Sequence, residues 1–172
     1  MSLLDVIKGR RSIRRFKKRD IPREYLEKIM EAARWAPSAG NLQSRKFLIV
    51  KNPQLKNEIA NAAYRQSFIA EAPVVIVACA DLERSALGYG ERGRNLYCLF
   101  DVAAAVENML LTIHELGLGA CWVGAFDERL VSEILDIPST LRPVTIVPLG
   151  YPAEKPSPPP RMSLEEAFNI ID

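Results

Sequence analysis

The feature of the chain that most restricts its fold is an unbroken apolar run, Ala72–Ala80. A membrane-spanning helix needs about 20 such residues, so this run is too short to cross a bilayer. It is rich in valine after Pro73 and has the length of a strand, which favours a strand buried on both faces. The fold therefore needs a layer of structure on each side of one central strand.

The segments around this strand alternate between helical and extended patterns. Pro22 suits a first helical residue, Pro37 stops the helix that follows, and a pair of glycines ends the longest helix. Residues 81–94 are polar and glycine-rich, and we expect a loop there. We predict one α/β or α+β domain spanning residues 1–172. The patterns predict helices near residues 3–8, 22–36, 53–64, 96–116, 127–136 and 163–172, and strands at 46–50, 73–78, 120–123 and 143–148.

Charge is distributed unevenly along the chain. Residues 8–19 carry eight basic side chains and no acidic one, and because the whole chain carries a net charge of +2, the remainder carries −6. A local basic segment on an acidic body indicates one anion-binding site rather than a broad polyanion-binding face. Binding of nucleic acid to this segment stays open as an alternative. The N-terminus lacks the layout of a signal peptide, so we expect a cytoplasmic protein.

The three cysteines do not form a metal-binding pattern. Cys79, Cys98 and Cys121 have no C-x-x-C spacing, and His114 is the single histidine of the sequence. A zinc site needs a denser cluster of such ligands, so we expect no metal and interpret the cysteines as buried, reduced thiols. No nucleophile, base and acid stand out as a catalytic triad either.

A G-x-G-x-x-G sequence at residues 88–93 has the spacing of a dinucleotide-binding fingerprint. In that fingerprint the first glycine directly follows a strand, so that the pyrophosphate meets the N-terminus of the next helix. Here the segment Asp81–Leu87 separates the predicted strand from Gly88. We therefore interpret these glycines as part of a flexible loop.

Alternating polar residues within the basic segment form the first candidate binding motif. Arg10, Ser12 and Arg14 project to one face if the backbone is extended. Two guanidinium groups with a hydroxyl between them suit a phosphate, because guanidinium pairs with phosphate oxygens through two hydrogen bonds. Arg161, which follows an extended proline-rich arm at residues 155–160, is a further candidate phosphate ligand. A solvated basic face remains the alternative.

Two other segments combine small residues with hydrogen-bonding groups. After the second helix, Asn41 and Gln43 follow small residues, and their carboxamides suit the carbonyl and imide edge of a heterocycle. A plain turn is the alternative there. Further along, a predicted strand ends at Gly124 and Ala125, whose backbone amides are accessible to a flat ring.

Four segments together resemble the nitroreductase superfamily of FMN enzymes. They are R-R-S-I-R-R-F at residues 10–16, A-P-S-A-G-N-L-Q at 36–43, Q-S-F-I-A-E-A-P-V-V-I at 66–76 and L-G-L-G-A-C-W-V-G-A-F at 116–126. The segments follow the order expected in that family, and the resemblance runs from about residue 4 to residue 168.

The resemblance implies an α+β fold with a central, mainly antiparallel sheet flanked by helices. It also implies an intertwined homodimer that holds two FMN molecules at the subunit interface. The matching positions imply that FMN is bound by Arg10, Arg11, Ser12, Arg14, Gln66, Gly124, Ala125 and Arg161 of one chain and by Pro37, Ser38, Asn41 and Gln43 of the other.

The implied activity is hydride transfer from NADPH or NADH through FMN to a small oxidised acceptor, such as a nitroaromatic or a quinone, in a ping-pong cycle. No side chain need be catalytic, because the cofactor carries the chemistry. The same fold implies three alternatives, namely a flavin reductase, a reductive deiodinase and an FMN-fragmenting oxygenase; a flavin carrier without turnover is another. Ser44-Arg45 replaces the Pro-Trp common in the family, and Pro159 replaces a basic residue. The short chain also leaves little room for the helical insertions that cover the pocket in larger members.

Overall fold

The computed structural model describes residues 2–171, which form eight α-helices and four β-strands. The helices are α1 Leu3–Gly9, α2 Arg23–Arg34, α3 Pro53–Ala62, α4 Phe68–Glu71, α5 Leu82–Arg92, α6 Cys98–Glu115, α7 Glu128–Ile134 and α8 Leu164–Ala167. The strands are β1 Arg45–Val50, β2 Val74–Asp81, β3 Gly119–Ala120 and β4 Leu141–Gly150. A short 3-10 turn at Ala39–Asn41 and a π-helical turn at Gly93–Tyr97 complete the set.

The sheet has the strand order β1-β2-β4-β3, and every paired strand is antiparallel to its neighbour. The apolar run of the sequence forms β2, which lies in the interior of the sheet. Residues from Val74 to Ala80 are at most 2% exposed, which confirms the prediction of a strand buried on both faces. Sheet and helices together form the α+β architecture.

The two faces of β2 belong to two separate hydrophobic cores, because successive side chains of a strand point to opposite faces. Ile76 and Ala78 pack into a core with α2 and α6. Val75 and Val77 pack into a core with α3 and α7. The layer predicted on each side of the central strand is therefore present.

The longest helix, α6, is the main support of the first core. Its fully buried side chains include Val102, Val106 and Ile113. The helical run Leu82–Glu115 is long and apolar enough to cross a membrane by length and composition alone, a test that the core helix of a folded domain also passes. Here the run is broken at its kink and its apolar side packs on β2, so it is a core helix.

The prediction of a loop at residues 81–94 is wrong, because most of this segment is α5. The Asp81 side chain accepts a hydrogen bond from the Arg84 amide and caps the helix, and Ser85 is fully buried. The three glycines obscured this pattern. Their effect is confined to a kink, where Gly90 has φ +55° and ψ −141°.

Smaller differences concern the later elements. The strand predicted at residues 120–123 is limited to β3, with an isolated bridge from Val123 to Ile146 continuing it. The final helix begins at the predicted capping box of Ser163 and Glu166 but ends at Ala167. The three cysteines are free and buried, as predicted.

Candidate functional site

The basic segment predicted to bind phosphate lies against the edge of the sheet as an extended chain. Ser12 forms an isolated parallel bridge with Ala120, and the Ile13 amide donates to the Ala120 carbonyl over 2.9 Å. The extended backbone that the alternating pattern of Arg10, Ser12 and Arg14 requires is therefore present.

Arg10 and Arg11 line a cavity of about 300 Å³ between α1, the C-terminal half of α6 and the proline-rich arm. The Arg10 guanidinium lies 3.9 Å from the Glu107 carboxylate. The Arg11 guanidinium instead donates to the carbonyls of Lys8 and Arg10, over 2.7 and 2.8 Å, and so caps the end of α1. His114 lies in the same wall, and burial, with the nearby charges of Arg10 and Arg11, lowers its pKa.

A second group of predicted residues meets where the chain leaves β3. Gln66 Nε2 donates to the Ala125 carbonyl over 3.0 Å. The Arg14 guanidinium lies 5.9 Å from the centre of the Phe68 ring. Phe68 follows Gln66 by two residues in the sequence. We call this group the strand-end surface and define it by Ser12, Arg14, Gln66, Gly124 and Ala125.

Gly124 and Ala125 present unused backbone donors on the strand-end surface. Both residues are exposed, and within residues 2–171 neither amide nitrogen donates a backbone hydrogen bond. A Cβ on Gly124 would meet no atom closer than Trp122 Nε1, at 3.9 Å, so the space above the backbone is open. An exposed backbone with two unused donors leaves room for a flat polar ring, and a guanidinium such as that of Arg14 is able to pair with phosphate oxygens.

The other predicted binding segment, Pro37–Gln43, is a strained loop near the N-terminal end of α6. Gly40, Asn41 and Gln43 have φ values of +53°, +56° and +53°. Ser38 Oγ accepts a hydrogen bond from the Gln43 amide over 2.9 Å, and the Asn41 and Gln43 side chains are exposed. Such φ values cost non-glycine residues free energy and persist where surrounding contacts enforce them, often at functional sites.

The loop and the basic segment lie at opposite ends of α6. The Ala39 amide donates to Asp101 Oδ1 in the first turn over 2.9 Å, whereas the cavity beside Arg10 includes His114 in the last turn. At 1.5 Å per residue, Asp101 and His114 are about 20 Å apart along the helix axis. Within one chain, the two groups therefore face separate pockets.

Comparison with known proteins assigns this architecture to a family. The family model described as "Nitroreductase family" matches residues 7–66 and 61–151. The chain belongs to the nitroreductase family. It is 34% identical to the NADH dehydrogenase of Thermus thermophilus over 183 residues, which cover 91% of this chain and 89% of that protein. It is 30% identical to the iodotyrosine deiodinase of Thermotoga neapolitana over 194 residues, with 98% of each chain covered.

A solved structure agrees with this assignment. The NADPH:FMN oxidoreductase of Vibrio harveyi, solved in complex with NAD+, superposes with a TM-score of 0.91 at 25% identity, over 99% of this chain and 77% of that one. The nitroreductase fold that the sequence motifs implied is therefore confirmed.

Arg161 is not joined to the basic segment. It is exposed on the arm, its guanidinium donates to the adjacent Pro160 carbonyl over 3.2 Å, and it lies outside the cavity that Arg10 lines. In the described part of the chain, residues 2–171, no group of three or more His, Cys, Asp or Glu is placed to hold a metal ion.

Two carboxylates that organise the candidate site were not predicted from the sequence. Glu154 accepts hydrogen bonds from the backbone amides of Arg14 and Arg15 and fixes the basic segment against the start of the arm. Asp101 binds the strained loop. A signal for Asp101 existed, since it is a lone acid on the apolar side of α6, whereas Glu154 had no pattern to distinguish it.

Proposed function

We propose that this chain transfers hydride from NADPH or NADH, by way of bound FMN, to a small oxidised acceptor such as a nitroaromatic or a quinone. The chain belongs to the class of FMN-dependent NAD(P)H oxidoreductases. Bound FMN supplies the redox chemistry, so the donor and the acceptor react in turn at one site, in a ping-pong cycle. We further propose that it works as a single domain, residues 1–172, in the cytoplasm.

The observation that carries the proposal is the pair of backbone amides at Gly124 and Ala125 that donate no backbone hydrogen bond within residues 2–171. The amides suit donation to the polar edge of an isoalloxazine ring, and the open surface at Gly124 lets the ring approach the backbone. Gln66 binds the Ala125 carbonyl and so holds this segment in place. We assign Arg10, Arg11, Ser12 and Arg14 to the phosphate and the ring edge, with Arg11 contributing less because it caps α1.

A homodimer completes the site in this proposal. Within one chain, Pro37, Ser38, Asn41 and Gln43 lie at the opposite end of α6 from the cavity that Arg10 lines. We therefore propose that a second copy of the chain supplies them to the site. Exposed apolar side chains support such a contact: Leu164, Phe168 and Ile170 near the C-terminus are at least 70% exposed. Apolar surface of this kind is typical of a face that another chain covers.

The proposal is tested by titrating the purified protein with FMN and then, without oxygen, with NADPH and NADH. We expect the protein to bind FMN and its flavin absorption bands to bleach with one or both donors. A protein that gains no flavin absorbance contradicts the proposal. A yellow protein that neither donor bleaches is a flavin carrier without turnover.

Reductive dehalogenation is a second candidate reaction, and the similarity to an iodotyrosine deiodinase over 98% of the chain favours it. It uses the same flavin and changes only the acceptor. Oxidation of NAD(P)H in the presence of nitroaromatics, quinones, free FMN or iodotyrosine separates these reactions. A polyanion-binding role for residues 8–19 predicts instead affinity for nucleic acid that falls steeply with salt and needs no flavin.

A further inference from the structure

The carboxylate of Asp101 binds both ends of the strained loop. Its Oδ1 accepts from the Ala39 amide over 2.9 Å, and its Oδ2 accepts from Ser44 Oγ. Asp101 is 3% exposed and Ser44 is fully buried, so water does not compete for these bonds. One side chain of α6 therefore closes the loop at its start and at its end.

Arg45 fixes the entry to the same loop. Its guanidinium donates to the carbonyls of Arg34, Ala36 and Pro37, over 3.2, 2.6 and 3.0 Å. The Arg34 carbonyl belongs to the last turn of α2, where carbonyls have no partner within the helix, and Ala36 and Pro37 lie just after the helix. Burial lowers the pKa of Arg45, an effect that the Asp101 charge opposes. We call Ser44, Arg45 and Asp101 the loop clamp.

The loop clamp explains why a strained loop keeps one conformation. Positive φ values at Asn41 and Gln43 persist only where neighbouring groups determine the backbone on both sides. A buried carboxylate is costly to desolvate, and an apolar residue in its place is often as stabilising or more so. The presence of a carboxylate at this buried position is therefore better explained by its hydrogen bonds to the loop than by a contribution to the stability of the core.

We propose that Asp101, acting through Ser44 and the Ala39 amide, is a positioning residue. It holds Ser38, Asn41 and Gln43 in the conformation that contacts the FMN of the partner subunit. Asp101 itself does not touch the cofactor. This inference rests on the proposed function, because FMN is the ligand that the loop is taken to bind.

The first test compares Asp101→Ala and Ser44→Ala with Asn52→Ala. Asn52 accepts two amide hydrogen bonds at the start of α3. Its replacement therefore removes a similar number of side-chain hydrogen bonds at a position away from the loop. We expect Asp101→Ala to raise the Kd for FMN about tenfold, the size of a lost coupling between contacting groups, and Ser44→Ala to raise it less. Asn52→Ala lowers Tm but leaves the Kd within about twofold, since a lost cap affects stability alone.

The Kd is measured by quenching of FMN fluorescence and Tm by circular dichroism, at concentrations where the protein is dimeric. If Asp101→Ala lowers Tm and leaves the Kd unchanged, as in Asn52→Ala, the proposal is overturned. Should Asp101→Ala not fold, Ser44→Ala and Asp101→Asn carry the same comparison. The carboxamide introduced by Asp101→Asn keeps an acceptor for the Ala39 amide but not for the Ser44 hydroxyl.

A double-mutant cycle separates positioning from a general structural role. Asn41→Gly removes one carboxamide contact and permits the positive φ. We expect Asp101→Ala to weaken FMN binding by a smaller factor in the Asn41→Gly background, because the loop then has less to position. Equal factors in both backgrounds overturn the proposal. Failure of the wild-type protein to bind FMN is a separate result, which refutes the proposed function instead.

Discussion

Gly119 and Gly124 lie on the same segment after α6, but an added side chain would act differently at each. At Gly119 a Cβ would lie 2.6 Å from Ile13 Cγ1, so the basic segment could not stay against β3. At Gly124 the nearest atom would be 3.9 Å away. The first glycine is required for packing of the chain on itself, and the second leaves room for a ligand.

We expect Gly124→Ala to change the free energy of unfolding by less than about 1 kcal/mol. It should nevertheless raise the Kd for FMN about tenfold, a loss of about 1.4 kcal/mol, because the methyl group occupies the surface where the ring would approach. Gly119→Ala, the matched control, should lower the free energy of unfolding by about 1–3 kcal/mol through overpacking. Urea denaturation and flavin titration measure the two quantities. Unchanged FMN affinity in Gly124→Ala would place the ring elsewhere.

His114 gives the stability of the fold a pH dependence of defined sign. Burial and the charges of Arg10 and Arg11 lower its pKa. In the unfolded chain the imidazole takes up a proton near its usual pKa of about 6.5, whereas in the folded chain it does so only at lower pH. The unfolded state then binds more protons, and stability is lost as the pH falls through and below this value. His114→Gln removes this contribution.

The measurement is the free energy of unfolding of wild type and His114→Gln between pH 7.5 and pH 5. We expect the wild type to lose more stability over this range than the variant, because other titrating groups are common to both. Parallel curves would show that His114 takes up its proton equally in the folded and unfolded states.

At the scale of elements, length and periodicity decided what could be predicted. The elements β2 and α6 were predicted from the sequence. A strand buried on both faces gives a continuous apolar run, and a helix buried along one side gives apolar residues at helical spacing. The helix α5 was not predicted, since the two glycines within it and Gly93 directly after it suggested a loop, while its cap at Asp81 and its buried Ser85 supplied only weak helical signals.

Some features of the candidate site were likewise predictable from the sequence, and others were not. Motif order supplied the positions of Arg14, Asn41 and Gly124, but no local pattern shows which long-range partners fix them. The hydrogen bond from the Arg14 amide to Glu154, and the one from the Ala39 amide to Asp101, join residues that are far apart in the sequence and meet only in the folded chain. Such contacts follow from the tertiary fold rather than from the pattern of neighbouring residues.

The kink in α5 provides a prediction at this scale. Gly90 has φ +55° and ψ −141°, a conformation that residues with a Cβ rarely adopt, although no atom lies within 4 Å of a Cβ built there. Gly90→Ala should therefore destabilise by backbone strain alone, by about 1–3 kcal/mol. Leu87→Ala is the control on the same helix, because Leu87 is 89% exposed and its loss should change little.

Chemical denaturation and hydrogen exchange across α5 measure this effect. Gly90→Ala should speed exchange in α5 while exchange in α6 changes less, because the strain is local to the kink. Equal stability of Gly90→Ala and wild type would mean that the backbone at the kink relaxes without cost.

At the scale of the whole molecule, the proposal that each FMN site takes Arg14 from one chain and Asn41 from the other has a sharp consequence. A heterodimer of an Arg14→Ala chain and an Asn41→Gly chain contains one doubly damaged site and one intact site. We expect such a heterodimer to bind FMN at half of its sites with wild-type affinity, whereas each variant homodimer binds weakly at both.

Differently tagged chains allow the heterodimer to be purified and titrated with FMN. If each site were built within one chain, every site of the heterodimer would carry one substitution, and no tight site would appear. The two homodimers serve as controls for the loss that each substitution causes alone.

The length of α6 has a consequence for how this sequence can diverge. One inserted residue turns everything beyond it by about 100° and advances it by 1.5 Å. An insertion or deletion between Asp101 and His114 would thus rotate the loop that Asp101 holds relative to the cavity beside His114, and in a homodimer it would do so in both chains. Exchanges of side chains on the loop, and changes of length in α5 or the proline-rich arm, leave the spacing along α6 intact. Natural variation can accumulate there while the count of residues along this helix stays constant.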